Sequence, residues 1–194
     1  SWVSPFAKNI YLSLGFSLGA GVEQLSGLSL VVGVAVAKML ESFGVRGVGL
    51  KWPNDVYVKG KKIAGILLEL SGEATTHWNV VCGVGLNVLM TDKDGVNIDQ
   101  DWTSLAEHVE CGRNEVAVKL LTQLVEVLEE FKVGGFSRFA SLWDQYDVLF
   151  GKNVQVLPGE IFGEVVGVND QGALLVDDGE IQVINAGEVS VRKL

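Results

Sequence analysis

Two short extended segments joined by a charged turn constrain this chain more than any other stretch of it. Val48-Gly49-Leu50 is apolar and leads into Lys51-Trp52-Pro53-Asn54-Asp55. Asp55-Val56-Tyr57-Val58 is β-rich, Lys59-Gly60 reads as a two-residue turn, and Lys62 to Leu70 runs back alongside. Pro53 has no N–H to donate and biases Trp52 toward extended geometry, so a sheet ladder is expected to break there. Asn54 and Asp55 follow at the break, where short polar side chains can face a ligand. Lys51, Lys61 and Lys62 then share one hairpin with an amide and a carboxylate between them. That arrangement suits a phosphate or carboxylate ligand, with or without a metal ion. On spacing alone, the solvated tip of a hairpin is the commoner reading of such a turn.

With 194 residues, 48% of them hydrophobic, the chain can bury a real core in one medium domain plus a small one. No apolar run reaches the roughly 18–20 uncharged residues of a membrane span. Residues 25–40 come nearest, but Lys38 and the interspersed Gly and Ser predict a buried helix instead. The net charge of −9 argues against nucleic-acid binding, which needs a basic surface, although a local cationic pocket around Lys51 and Lys62 is compatible with it. Cys82 and Cys111 form no spaced framework and are expected as reduced thiols in a cytoplasmic protein. Only His77 and His108 accompany them, both expected on the surface, and no zinc site is expected. No secretory signal is visible.

Taken in order, Ile10, Leu12, Leu14 and Phe16 alternate with Tyr11, Ser13 and Gly15, the pattern of a half-buried strand. From about Glu23 to Phe43 the period is helical, with Gly44 placed to end it. Strands are expected over 48–52, 55–58, 62–70 and 78–88. In the last of these Gly83 and Gly85 weaken the strand. A bulge, tight sheet packing or close approach of a ligand each accounts for such a pair. Residues 91–102 read as an acidic surface loop, and Ser104-Leu105-Ala106-Glu107 as a capping box. Asn114 is the expected N-cap of a longer helix whose core stripe is Ala117, Leu120, Leu121, Leu124, Leu128 and Phe131, stopped by Gly134-Gly135. A last helix is expected over 136–146, with Phe139, Leu142, Trp143 and Tyr146 inward. Beyond Phe150-Gly151 five short strands (153–157, 161–168, 173–176, 181–184, 188–192) alternate with Gly/Asp turns, which predicts a small barrel.

Three ordered blocks resemble one family. Lys51-Trp52-Pro53-Asn54-Asp55 followed by Gly60-Lys61-Lys62-Ile63-Ala64-Gly65-Ile66-Leu67-Leu68-Glu69 looks like the signature of the biotin protein ligases. Gly83-Val84-Gly85-Leu86-Asn87 is similar to that family's glycine strand, and Trp2-Val3-Ser4-Pro5 with Asn9 to Ser13 resembles the segment after its biotin-binding loop. The resemblance implies an α/β (α+β) fold: a mixed sheet with flanking helices of the class II aminoacyl-tRNA synthetase and biotin ligase type over residues 1–148, then an SH3-like β-barrel over 149–194. It implies transfer of AMP from ATP to biotin, and then of biotin to a lysine of a biotin carboxyl carrier protein. No enzyme nucleophile is needed for that chemistry, in keeping with the lack of an obvious Ser/His/Asp or Cys/His arrangement. Lys62 would be the catalytic residue, on the biotin carboxylate and acyl phosphate. Gly65, Leu67, Gly83 and Gly85 would line the biotin pocket. Trp2, Lys51, Asn54, Asp55, Asn87 and Arg192 would serve the nucleotide, and Asp55 its Mg²⁺. A homodimer is a further expectation, since family members commonly pair through their central sheets.

The family's Gly/Arg-rich loop lies before the position of Trp2, and a helix-turn-helix segment in some members lies further upstream. The chain is therefore expected to be part of a longer protein and, taken alone, to bind biotin and ATP weakly. A non-catalytic sensing or dimerising module and a lipoate-type ligase of the same fold are the competing readings. The complete Lys51–Asp55 block and the five-stranded C-terminal unit favour biotin.

Overall fold

The structure, a computed structural model, describes residues 5–19, 25–73, 77–96, 98–159, 161–187 and 189–194. Two five-stranded sheets carry it. The first contains β1 (Asn9–Gly19), β2 (Val48–Lys51), β3 (Asp55–Val58), β4 (Lys61–Glu73) and β5 (His77–Asn87), in the order β1-β5-β4-β3-β2. Every ladder between these strands is antiparallel. Among the described residues the mixed character expected from the resemblance comes from isolated parallel bridges, Leu50 with Asp147 and Lys62 with Trp102. The hairpin turn falls where expected, with positive φ at both Lys59 (50°) and Gly60 (80°).

Helix α1 (Leu28–Ser42) is apolar on nearly every side and buries Leu28, Leu30 to Ala37, Met39 and Leu40. A helix without a wet face must be covered all round. It packs on β2, β3 and β4 on one side and on α2 (Arg113–Gly134) and α3 (Ala140–Tyr146) on the other. Gly44, at φ 88°, ends it as predicted: its N–H reaches Glu41 O at 2.8 Å and Val45 N reaches Leu40 O at 3.2 Å. The expected start near Glu23 lies outside the described residues.

Several local expectations are corrected. Helix α2 opens at Arg113 with Gly112 as its N-cap, not Asn114, because the Gly112 carbonyl accepts the first turn's bond from Val116 at 3.0 Å. Its core stripe includes Val116 and Val127, whereas Leu121 is exposed. Ser104 precedes a single 3-10 turn, Leu105–Glu107, without capping it; its hydroxyl donates to Met90 O at 2.8 Å. The helix expected from Phe136 is split into a 3-10 turn, Phe136–Arg138, and α3.

The second sheet contains β6 (Asn153–Leu157), β7 (Ile161–Val168), β8 (Leu174–Asp177), β9 (Ile181–Ile184) and β10 (Ser190–Lys193), ordered β10-β6-β7-β8-β9 and wholly antiparallel. Val154, Val156, Val165, Leu174, Val176 and Val191 bury one face of it. Two hydrogen bonds among the described residues help tie it to the first sheet. Val148 N donates to Leu50 O at 3.0 Å, so the connector lies along β2, and a side chain on Gly49 would collide with Val148. Trp52, fully buried, donates its indole N–H to Gly172 O at 3.0 Å. Gly172 sits so close to Gly27, at a φ of 76°, that a side chain there would meet backbone.

The Trp52→Phe change leaves the Gly172 carbonyl without its donor while keeping most of the packing. It is expected to cost about 1–3 kcal/mol in urea denaturation, with the second sheet losing hydrogen-exchange protection first.

Candidate active site

Residues directly opposite in an antiparallel ladder point to the same face, so register alone builds the site. On one face of the first sheet Ile10, Leu86, Ala64 and Val56 form a row, followed by Leu12, Val84 and Ile66; these bury against the helices. On the other face the rows are Tyr11-Gly85-Gly65-Asp55 and Ser13-Gly83-Leu67. Three of those seven positions have no side chain. The result is a trough floored by glycine backbone, with Tyr11 and Ser13 on one wall and Asp55 and Leu67 on the other. A cleft of about 360 Å³ occupies it, lined also by Asn54 and Lys62.

Lys62 reaches that cleft through an irregularity in β4. Asp55 pairs with Gly65 and Val56 with Ala64, but Tyr57 pairs with Lys62, leaving Ile63 as an extra residue. Ile63 and Ala64 are both fully buried, two in succession where a regular strand would alternate. Without the bulge Lys62 would share the phase of Ala64 and point into the core. With it, Lys62 joins Asp55 and Tyr57 on the open face. There its Nζ lies 2.6 Å from Asp55 Oδ1, with only 14% and 19% of the two side chains exposed. Asn54 fixes the start of β3, its Nδ2 donating to Ile66 O and its own carbonyl accepting from Ile66 N, both at 2.9 Å.

A second cleft, of about 310 Å³, adjoins the first across β3 and is lined by Lys51, Tyr57, Val148, Arg192 and Lys193. Lys51 pairs with Asp55 across the β2–β3 ladder, so the two clefts meet at that pair. Burial holds the Lys51 ammonium below its usual pKa; Asp55 opposes the shift, and Lys62, Lys193 and Arg192 add to it. Burial and then Asp55 push the Tyr57 phenol up to about 12, so it stays a neutral donor. In a chain of net charge −9 this junction gathers four cations around one carboxylate, which makes it a seat for an anion.

Of the expected site residues, Lys62, Gly65, Leu67, Gly83, Gly85, Asn54 and Asp55 come together in the first cleft, and Lys51 and Arg192 in the second. Asn87 lines neither. It is buried, with Oδ1 accepting from Asn9 Nδ2 at 3.2 Å and Nδ2 donating to Thr103 O at 3.1 Å. Trp2 lies outside the described residues. Tyr11, Ser13, Tyr57 and Lys193 were not anticipated as site residues. The alternation of β1 puts Tyr11 and Ser13 opposite its apolar phase, but only the pairing with β5 sets them beside the glycines.

Among the described residues no group of three or more His, Cys, Asp or Glu side chains is placed to hold a metal ion. Asp55 is the one carboxylate among the cleft residues, and it is committed to Lys62. One carboxylate paired with Lys62 cannot supply all the oxygen ligands of a Mg²⁺ ion, so Asp55 could hold one only together with substrate phosphates and water.

The fold and the anion-seeking, glycine-floored cleft agree with comparisons to known proteins. Residues 1–87 match the model of the Biotin/lipoate A/B protein ligase family, and residues 149–192 match the Biotin protein ligase C terminal domain. Within that class the chain belongs to the biotin protein ligases. It is 38% identical over 195 residues to the Bifunctional ligase/repressor BirA of Escherichia coli, covering 98% of this chain and 61% of that protein. It is 33% identical to the Biotin--[acetyl-CoA-carboxylase] ligase of Mycobacterium tuberculosis, over 97% of this chain and 71% of that one. The apo structure of the Aquifex aeolicus biotin protein ligase superposes with a TM-score of 0.77 at 32% identity, covering 94% of this chain and 83% of that one. The same ligase is also known in complex with biotin and ATP. The chain thus spans about three fifths of the length of the Escherichia coli relative.

Outside the two clefts, His108 has its Nε2 2.9 Å from Thr103 Oγ1. Burial first, then Lys59 and Lys61, holds its pKa below the usual 6.5. The fold therefore favours the neutral ring. The stability this contributes is complete above pH 6.5 and declines as pH falls toward the depressed folded value. Thermal melts from about pH 7.5 to about pH 5 should show the wild type losing stability relative to His108→Gln, which lacks the titrating group.

Proposed function

We propose that this protein transfers AMP from ATP to biotin and passes the activated biotin to a carrier protein. In the first step a biotin carboxylate oxygen attacks the α-phosphorus, the bond to the β-phosphate oxygen breaks, and biotinyl-5′-AMP and pyrophosphate form. In the second, the amine of a carrier lysine attacks the acyl carbon, AMP leaves and a proton is released. The observation that carries this reading is the trough of Gly65, Gly83 and Gly85 ending at Lys62, directly beside a second, cationic cleft.

The ring system of biotin would lie against bare backbone, where amide and carbonyl groups can meet its ureido edge. Its carboxylate would then end at Lys62. There the ammonium, held at a fixed point by Asp55, would stabilise charge as it shifts between carboxylate and α-phosphate. Lys51 and Arg192, joined by Lys193, would draw the departing phosphates into the second cleft. Holding both reactants in line supplies much of the acceleration, and burial of the junction keeps water from the anhydride. Mg²⁺ would enter with ATP as part of the substrate. Asn54 would shape the wall on which the nucleotide rests, and Trp2 would cover the adenine.

Residues 1–148 would form the catalytic unit and 149–194 the unit that closes its phosphate side. Its partners would be biotin, ATP and a biotin carboxyl carrier protein, with cytoplasmic placement in keeping with free Cys82 and Cys111. Among the described residues no helix is long and apolar enough to cross a membrane. A homodimer formed through the first sheet belongs to the same proposal.

Biotin-dependent exchange of labelled pyrophosphate into ATP tests it. The wild type should exchange, and Lys62→Ala should lose about 10²–10³-fold while keeping its fold. Equal exchange by the two would sink the reading and leave a binding module. In Gly83→Ala the added methyl meets Leu67 O at 3.5 Å and Leu67 Cβ at 3.8 Å, ordinary contacts, so the fold should hold. The methyl intrudes on the floor of the trough, and the KM for biotin should rise about tenfold with that for ATP unchanged.

A further inference from the structure

The chain has three tyrosines, and two of them have partnered hydroxyls. The Tyr11 oxygen accepts from Asn9 Nδ2 at 3.2 Å, and the Tyr146 hydroxyl donates to Glu41 Oε2 at 2.7 Å. Among the described residues the hydroxyl of the third, Tyr57, has no hydrogen-bond partner. Tyr57 is nevertheless half-buried, in a wall of the second cleft. A phenol taken partly out of water is ordinarily given a partner, because an unmade hydrogen bond leaves the cost of desolvation standing.

The sheet accounts for its placement. Tyr57 stands on the open face of β3, opposite Gly49 in β2 and Lys62 in β4. Gly49 leaves its side of that row bare, and Val148 of the connector fills the space as another wall of the second cleft. The next row on the same face is Lys51-Asp55-Gly65. Tyr57 is therefore flanked by Lys62, where the acyl phosphate would form, and shares a cleft with Lys51, Arg192 and Lys193. Among the described residues no carboxylate lines that cleft. A phenol O–H among ammonium and guanidinium groups meets donors only. What it lacks is an acceptor, and an anion in the cleft supplies one.

We infer that Tyr57 is a further binding residue for the departing pyrophosphate: its hydroxyl donates to an oxygen of the β- or γ-phosphate while Lys51, Arg192 and Lys193 supply the charge. This rests on the ligase reading and deepens it. Flexible lysines attract a polyphosphate from many directions, as point charges do. A phenol donates from a rigid ring, with few torsions to lose, and so selects one arrangement of the phosphates. Fixing the leaving group keeps the α-phosphorus in line with the carboxylate at Lys62. Free pyrophosphate makes the same contact in the reverse direction, because the contact is to the part of ATP that leaves. Neither biotin nor adenosine takes part in it.

Tyr57→Phe keeps the ring and removes only the hydroxyl, so it should melt with the wild type. In biotin-dependent exchange of labelled pyrophosphate into ATP, its KM for ATP and its KM for pyrophosphate should each rise on the order of tenfold. Its KM for biotin should stay within about twofold of the wild-type value. Inhibition by AMP, which lacks the departing phosphates, should be as strong as in the wild type. An unchanged KM for pyrophosphate would overturn the inference. So would AMP inhibition weakened as much as ATP use, which would put the phenol at the α-phosphate or the adenosine. A rise in the KM for biotin alone would overturn it in favour of the first cleft. Should the wild type show no exchange at all, the ligase reading falls separately, and calorimetric titration with inorganic pyrophosphate decides for Tyr57. Binding about tenfold tighter by the wild type than by Tyr57→Phe supports the phenol contact, and equal binding or none by either removes it.

Discussion

Lys62 stands on the open face of the first sheet because β4 carries one residue more than the strand opposite it. The side-chain period of a strand is two, so one inserted residue inverts everything that precedes it. Ile63 is that residue. Its insertion lets a single strand place Lys62 in the cleft while Ala64 and Ile66 serve the core and Gly65 floors the trough. The ion pair with Asp55 and the junction with Lys51 both depend on that inversion.

The charge distribution follows the same economy of placement. A chain of net charge −9 repels anions over most of its surface. Lys51 and Lys62 belong to one hairpin, Arg192 and Lys193 to the last strand of the second sheet, and the four converge only where the sheets dock. Docking relies on Trp52, which lies in the same five-residue run as Lys51, Asn54 and Asp55. The run that supplies the polar groups of the site therefore also fastens the unit that completes it.

Much of this was legible in the residues. The Lys59-Gly60 turn, the buried α1, the glycine strand and the five C-terminal strands follow from local pattern, because turn chemistry and period act over a few residues. What was hidden depends on partners distant in the chain. Alternation gives no warning of a bulge, since Lys62-Ile63-Ala64 reads as an ordinary strand start. Asn87 looks like a ligand residue beside its glycines, and nothing local shows that its amide also reaches Thr103, sixteen positions away. The acidic stretch before Trp102 reads as surface loop, although its end pairs with Lys62 beyond the last residue of β4 that β5 covers. In α2, Leu121 fits the stripe as well as Val127 does, and only the rotation of the helix on β1 and α1 separates them.

The glycine floor also acts as a ruler. Successive rows on one face of a sheet are two residues apart, about 6.6–6.8 Å, so the trough is measured in strand rises. It begins at the row of Gly65 and Gly85 and continues through Gly83. At the next row Val81 faces Glu69 and Gly15, and a branched side chain rises from the floor again. The bare floor thus lasts for two rows of the sheet before side chains resume on every strand but β1. The extent of that bare floor is therefore fixed by where glycines sit along β4 and β5, independently of the residues that carry charge.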